Sequence, residues 1–283
     1  MGLNLDRHGL PQFLITLTGA PTTLKQAEVK LVWKGVYSAS CAPTGTTVSG
    51  LGYRLAGGDG GVFDFKLPFE GSLVPPSSSF HVSNIKGIAS PDRRGYWLVG
   101  ATGNVYNLGD AKSLGSASGV SDIVGIASPN AGGYWLVGRN GKVFPFGDAK
   151  SFGSAKGVSD IVGIANVDKG GYWLVGKNGK VFGFGDAKAL GSATGVSDIV
   201  GIASPALGGY WIVGKNGKVF HFGNAKVLGS ASRVSDVVAI TSADTGGYWL
   251  ATADGRVLKF GDAPYLCSMA GKHLAMPIVA MVN

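Results

Sequence analysis

A tyrosine-tryptophan pair recurs at Tyr96-Trp97, Tyr134-Trp135, Tyr172-Trp173, Tyr210-Trp211 and Tyr248-Trp249, a constant step of 38 residues. Two neighbouring copies, GYWLVGRNGKVFPFGDAKSFGSAKGVSDIVGIANVDKG from Gly133 and GYWLVGKNGKVFGFGDAKALGSATGVSDIVGIASPALG from Gly171, agree at about three positions in four. A divergent sixth copy stands upstream at Gly52-Tyr53-Arg54-Leu55, with Arg54 in the tryptophan position. A fixed period of this length restricts the chain to a repeat architecture, in which each unit buries its apolar faces against its neighbours.

Inside one unit the pattern is one of strands. Around Trp135 the runs are Ile123–Ser128, Tyr134–Gly138, Lys142–Phe146 and a weaker fourth, Ser151–Ala155. The first three are rich in β-branched and aromatic residues and are bounded by Gly, Pro, Asn and Asp. Asn140-Gly141, repeated as Asn178-Gly179 and Asn216-Gly217, is the dipeptide of a two-residue hairpin turn. No segment carries an i, i+3, i+4 apolar pattern long enough for a helix. The strand runs are apolar on both sides, as expected of a sheet sandwiched between two others. Four short strands per unit and two buried faces predict a blade of a β-propeller.

The strand count predicts six blades. The first runs are Ile85–Ser90, Ile123–Ser128, Ile161–Asn166, Ile199–Ser204, Val237–Ser242 and Ile278–Asn283, and the second runs start at Tyr53, Tyr96, Tyr134, Tyr172, Tyr210 and Tyr248. The run at Tyr53 has no first strand just before it, and the run at Ile278 ends the chain. Pairing 278–283 with 53–57 would build the sixth blade from both ends and remove exposed edges. The predicted fold is thus all-β: a six-bladed β-propeller of 38-residue, four-stranded repeats over residues 51–283. Residues 1–50 form a separate segment with candidate strands at 12–18 and 28–37. Its apolar Leu31, Val32 and Trp33 point to packing on the propeller, on a sister chain or on a larger assembly.

Composition narrows the function classes. Glycine supplies 48 of 283 residues beside 45% hydrophobic residues, which fits tight turns around buried strands rather than disorder. The formal charge is +8, with no Lys/Arg run and no nucleic-acid module, so nucleic acid is not an expected partner. No apolar stretch approaches a membrane span. Residues 1–20 carry Asp6 and Arg7 and no secretory signal, so either a leader is absent or the protein leaves the cell by another route, such as inside a virus particle. Cys41 and Cys267 leave two readings open, a bridge or two idle thiols; the second is expected, and the fold is not expected to depend on disulfides.

Catalytic patterns are missing. His8, His81, His221 and His273 have no metal-ligand spacing, and no nucleophile elbow, P-loop or dinucleotide fingerprint occurs. Ser90–Trp97, SPDRRGYW, is similar to the Asp-box of propeller sialidases, but its spacing is one residue off and its Asp-Gly turn is replaced. The repeated Phe-Gly-Asp-Ala motif (Asp148, Asp186, Asp262, with Asn224 in one copy) and Asp122, Asp160, Asp198 and Asp236 are read as turn fasteners spread around the ring. No enzyme, cofactor or metal is expected. The candidate ligand-binding residues are the cations of the turns between second and third strands: Arg139, Lys142, Lys177, Lys180, Lys215, Lys218 and Arg256. In a propeller these turns share one face, giving a basic arc partly offset by Asp160, Asp198 and Asp236. A solvated rim and an anion or envelope-glycan contact are both open readings of it.

The repeat GYWLVGxxGxVFxFGDAxxxGS resembles the Gly-Tyr-Trp-Leu-Val repeats of actinobacterial secreted proteins and of minor tail proteins of phages that infect mycobacteria and their relatives. The resemblance covers roughly residues 52–283 and no catalytic residue. It implies a propeller used as a structural or host-surface recognition module in a virion. Residues 1–50 would then attach to other tail proteins, and the expected location is the virion tail or the extracellular space. The missing signal peptide and the Met1-Gly2 start favour the virion. A secreted lectin-like or scaffold propeller is the alternative. A host-envelope glycan and a second copy of the chain remain open as partners.

Overall fold

The computed structural model describes residues 51–74, 82–167, 170–205, 208–243 and 246–283, with the backbone of 4–5 and 11–12. The chain divides into two compact units, Met1–Lys34 and Gly35–Asn283. In the first, β1 (Asn4–Leu5) pairs antiparallel with β2 (Pro11–Gln12). Apart from Gln12, the strands expected at 12–18 and 28–37 lie outside the described residues.

The second unit holds six three-stranded antiparallel sheets and no helix among the described residues, the architecture of a six-bladed β-propeller. The strands are β3 (Tyr53–Gly57), β4 (Val62–Phe65), β5 (Ile85–Ala89), β6 (Gly95–Gly100), β7 (Val105–Gly109), β8 (Ile123–Asn130), β9 (Gly133–Gly138), β10 (Val143–Gly147), β11 (Ile161–Val167), β12 (Gly171–Gly176), β13 (Val181–Gly185), β14 (Ile199–Ala203), β15 (Gly209–Gly214), β16 (Val219–Gly223), β17 (Val237–Ala243), β18 (Gly247–Thr252), β19 (Val257–Phe260) and β20 (Ile278–Val282). Five sheets are consecutive triplets, β5-β6-β7 through β17-β18-β19. The sixth is β20-β3-β4, so the C-terminal strand pairs with Tyr53–Gly57, as its sequence predicts.

Each sheet is built around its middle strand. The GYWLVG strands are buried at every position because both faces meet a neighbouring sheet. The buried tyrosine of one sheet packs at a tilt against the tryptophan of the sheet before it: Trp97–Tyr134, Trp135–Tyr172, Trp173–Tyr210, Trp211–Tyr248 and Trp249–Tyr53, with centroids 5.0–5.2 Å apart. Such pairs add roughly 0.5–1.5 kcal/mol beyond their buried area.

The weak fourth run is not a strand in any described unit, which corrects the four-stranded expectation. The physical reason is that side chains hold it in place of a ladder. In the unit of Trp135, the indole Nε1 donates to Lys150 O (2.8 Å), Val143 N donates to Ser154 Oγ (3.0 Å), and Ala155 N donates to Gly141 O (3.0 Å). The next tyrosine, Tyr172, donates its hydroxyl to Gly153 O (2.5 Å). All six repeat tyrosines make this bond, to Gly71, Gly115, Gly153, Gly191, Gly229 and Cys267. Burial raises their phenol pKa, to about 12 for Tyr134 and Tyr248, so they remain donors at neutral pH.

The Asn-Gly turns differ from expectation too. Gly138 N donates to Lys142 O and Gly141 N to Gly138 O, both at 2.9 Å. Gly141 takes φ +79°, while Asn140 keeps a negative φ. The loop therefore has three residues, a tight turn followed by a left-handed glycine. Asn140 serves through its side chain, whose Oδ1 accepts Lys142 N at 2.9 Å.

Candidate functional site

The three-residue loop decides where the cations go. Arg139 sits at the loop's first position and Lys142 at the first residue past it, and both are exposed. Lys177 and Lys180, then Lys215 and Lys218, repeat the pair in the next two sheets, also exposed. Backbone bonds stitch these loops into one continuous rim: Ile161 N donates to Arg139 O (3.0 Å), Lys177 N to Asp160 O (2.8 Å), Ile199 N to Lys177 O (3.1 Å) and Lys215 N to Asp198 O (2.8 Å). Lys142, Lys180 and Lys218 each hold Nζ 4.7–4.9 Å from the ring centroid of Phe144, Phe182 or Phe220, a contact that orders the ammonium without neutralising it.

Arg256 differs from the other six. It pairs with Asp254 (2.8 Å) and Asp236 (3.4 Å), so its charge is largely spent within its own blade. The remaining sheets have Gly58 and Gly61, or Ala101 and Asn104, at the paired positions. The basic arc thus covers three consecutive blades fully and a fourth in part. Two of the carboxylates beside it are engaged, Asp122 Oδ2 accepting Asn140 N (3.4 Å) and Asp160 Oδ2 accepting Asn178 N (3.3 Å), whereas the Asp198 side chain accepts no hydrogen bond among the described residues. Asp122 and Asp160 fasten turns, as expected. The side chains of Asp148 and Asp186 make no hydrogen bond among the described residues; backbone bonds close those turns, Asp148 N to Gly132 O (2.9 Å) and Ala149 N to Phe146 O (3.3 Å) in one, Asp186 N to Gly170 O (3.0 Å) and Ala187 N to Phe184 O (3.3 Å) in the other.

Sequence reasoning did not include Lys156 and Arg233 among the site residues. Both are exposed on loops packed against the basic turns: Ala155 N donates to Gly141 O and Ala231 N to Gly217 O, both at 3.0 Å. Their signal was a cation at one of two adjacent loop positions past the fourth run, in two of the three copies that carry complete basic pairs.

The opposite face carries the repeat's other departure. Arg54, fully buried, forms an ion pair with Asp64 (Nε–Oδ1 2.6 Å), its cross-strand partner on β4. It donates to Pro68 O (3.2 Å), Arg93 O (2.6 Å) and Ser90 Oγ (3.1 Å) and lies over the Tyr96 ring. The bond to Pro68 replaces the one each tryptophan indole makes in its own unit. Ser90 and Arg93 line a shallow depression of about 410 Å³ with Pro91, Asp92 and Asn283.

The Asp64 carboxylate accepts no well-aligned hydrogen bond. Burial raises its pKa to about 6, Arg54 pulls it back only in part, and Glu70 adds to the rise. An acid whose folded pKa exceeds its unfolded value binds its proton more tightly in the native state, so stability falls as pH rises from about 4 to 6. D64N should remove this slope, worth on the order of 3 kcal/mol, from urea unfolding free energies measured between pH 4 and 7. An unchanged slope would place the titration elsewhere.

Cys267 is disulfide-bonded, which corrects the expectation of idle thiols; Cys41 lies outside the described residues. No group of three or more His, Cys, Asp or Glu among the described residues could hold a metal ion. No helix among them is long and apolar enough to cross a membrane.

No protein-family model and no curated protein matches the chain. Solved structures of similar fold include a protein of unknown function from Bacteroides caccae (TM-score 0.58, 10% identity, covering 82% of this chain and 98% of that one). Virginiamycin B lyase from Staphylococcus aureus is matched at TM-score 0.51 and 12% identity, covering 70% of this chain and 73% of that one. The extracellular domain of a hybrid two component system from B. thetaiotaomicron is matched at TM-score 0.44 and 13% identity, over 69% of this chain but 28% of that one. At these identities the first two likenesses speak for the fold alone.

Proposed function

We propose that this chain is a non-enzymatic virion protein, a minor tail protein of an actinobacterial phage, whose propeller recognises an anionic glycan of the host envelope through the basic face. Arg139, Lys142, Lys177, Lys180, Lys215, Lys218 and, with less free charge, Arg256 are the contact residues. The observation that carries the reading is the run of exposed cation pairs on three consecutive blades, with two of the neighbouring carboxylates, Asp122 and Asp160, occupied by turn bonds. Residues 1–50 attach the propeller to other tail proteins. The Cys267 disulfide suits an oxidising, extracellular setting, and it supports the secreted lectin-like alternative equally.

The test is binding of labelled full-length protein to mycobacterial cells and to purified envelope polysaccharide. Wild type should bind saturably at 50 mM NaCl and lose most binding at about 300 mM, where screening is strong. K142E/K180E/K218E changes the formal charge by −6, from +8 to +2, and should weaken binding at least about 100-fold at low salt. Equal binding by wild type and variant would sink the proposal.

A further inference from the structure

One loop position in the repeat is left-handed and open. Gly119, Gly157, Gly195 and Gly271 occupy it with φ between +70° and +87°, and a Cβ on any of them would meet nothing within 4 Å. The copy after β16 has Arg233 there, at φ +60°. Non-glycine residues are strained in this region. Arg233 is exposed and makes no hydrogen bond or ion pair among the described residues, so nothing among them offsets the strain. Two other residues replace a left-handed glycine of the repeat, Lys66 and Cys267. Cys267 is disulfide-bonded, and Lys66, just past the C-terminal end of β4, belongs to the opposite face. An outlier kept without internal use points to a role outside the molecule.

The surroundings indicate which role. The loop bearing Arg233 packs on the turn of Lys215 and Lys218: a Cβ on Gly217 would lie 2.5 Å from Val234 and 2.7 Å from Ala231. Lys156 joins Arg139 and Lys142 in the same way, two blades back. The three blades thus present three, two and three cations in order. The blades of β3 and β6 lack cations at the paired positions, so the charge forms an arc and not a ring. A ligand centred on the propeller axis would not favour an arc; a chain crossing three blades would. Phe144, Phe182 and Phe220 are half-buried with an ammonium over each ring, which leaves no bare aromatic platform of the kind that stacks nucleic-acid bases.

We infer that the arc from Arg139 to Arg233 is a binding track for a linear polyanionic polysaccharide, one whose negative groups recur along a single chain, and that Arg233 is a binding residue of that track. The inference rests on the basic face being the recognition surface, and it assigns the ligand class and one further residue. Multivalent contact along the track makes affinity depend on ligand length.

The experiment uses full-length wild type, R233G, R233K and K142E/K180E/K218E, with heparin oligosaccharides of two to twelve sugars as the probe. Wild-type affinity should rise steeply with length. R233G should bind the longest oligosaccharide about 5–10-fold more weakly, with a log Kd against log salt slope smaller by about one, while melting at the same or a higher temperature, because glycine suits the position. R233K should keep most of the affinity. If R233G binds like wild type while the triple variant has lost binding, the role of Arg233 falls and the basic-face reading stands. If the triple variant also binds like wild type, or wild type does not bind, the basic-face reading falls and takes the inference with it. Tighter binding of single-stranded DNA of matched charge would overturn the ligand class.

Discussion

A chain ending at Pro277 should show no cooperative unfolding transition. The missing strand, β20, is the inner partner of β3, with Ile278 opposite Gly57, Ala280 opposite Ala56 and Met281 opposite Leu55. Ile278 is fully buried, and Ala280 and Met281 are nearly so. Removing them exposes Tyr53 and Leu55 as well, both at 0% exposure in the intact chain. At roughly 1.5–3 kcal/mol per large buried side chain, the loss reaches the 5–15 kcal/mol that separates a folded domain from an unfolded one. The bared edge of β3 also invites pairing with another chain. The measurement is near-ultraviolet circular dichroism on heating, with size-exclusion chromatography. A truncated chain that stays monomeric and melts as sharply as wild type would mean that β20 contributes little.

R54A should cost about 3–5 kcal/mol, a fall in Tm of roughly 10 °C. The guanidinium anchors four groups from two blades, and removing it leaves Asp64 buried without a counter-charge, so the carboxyl must take up a proton and its polar atoms lose their partner. Restoring the repeat's tryptophan alone should not rescue the protein, since R54W still strands Asp64. R54W/D64N recreates the Trp97–Asn107 cross-strand pair of the next sheet and should melt near or above wild type, because well-packed apolar replacement of a buried ion pair is often neutral or stabilising. The coupling between the two positions is read from the double-mutant cycle. A harmless R54A would show the buried network to be unimportant for stability.

The repeat made most of the fold legible. A 38-residue period with apolar faces on both sides leaves few architectures, and the unmatched runs at Tyr53 and Ile278 anticipated the sheet shared by the two chain ends. The fourth run was misread because its apolar residues pack without a ladder. Ser154 Oγ and the Trp135 indole take bonds that strand neighbours would otherwise make, and side-chain competition of this kind leaves no periodic signature. Asn140-Gly141 suggested a two-residue turn, but the dipeptide also suits a three-residue loop whose last residue is a left-handed glycine. At the candidate site, charge and exposure were readable from the turns, while the engagement of Arg256 by Asp254 and Asp236 required coordinates. Arg54 and Asp64 were each visible as departures from the repeat. Their opposite charges at paired positions on adjacent strands were the missed clue.

The central claim is that recognition uses the face bearing the turns between second and third strands. The protein carries its own control, because Lys150, Lys188 and Lys226 are exposed at the far ends of the same blades, and Lys112 at the corresponding end of the blade before them. Lysine-selective acylation of full-length protein, read by mass spectrometry with and without a mycobacterial envelope preparation, compares the two faces in one sample. The account predicts protection of Lys142, Lys177, Lys180, Lys215 and Lys218, with the other four modified as before. Protection of Lys112, Lys150, Lys188 and Lys226 instead, or no protection at saturating envelope, would contradict it.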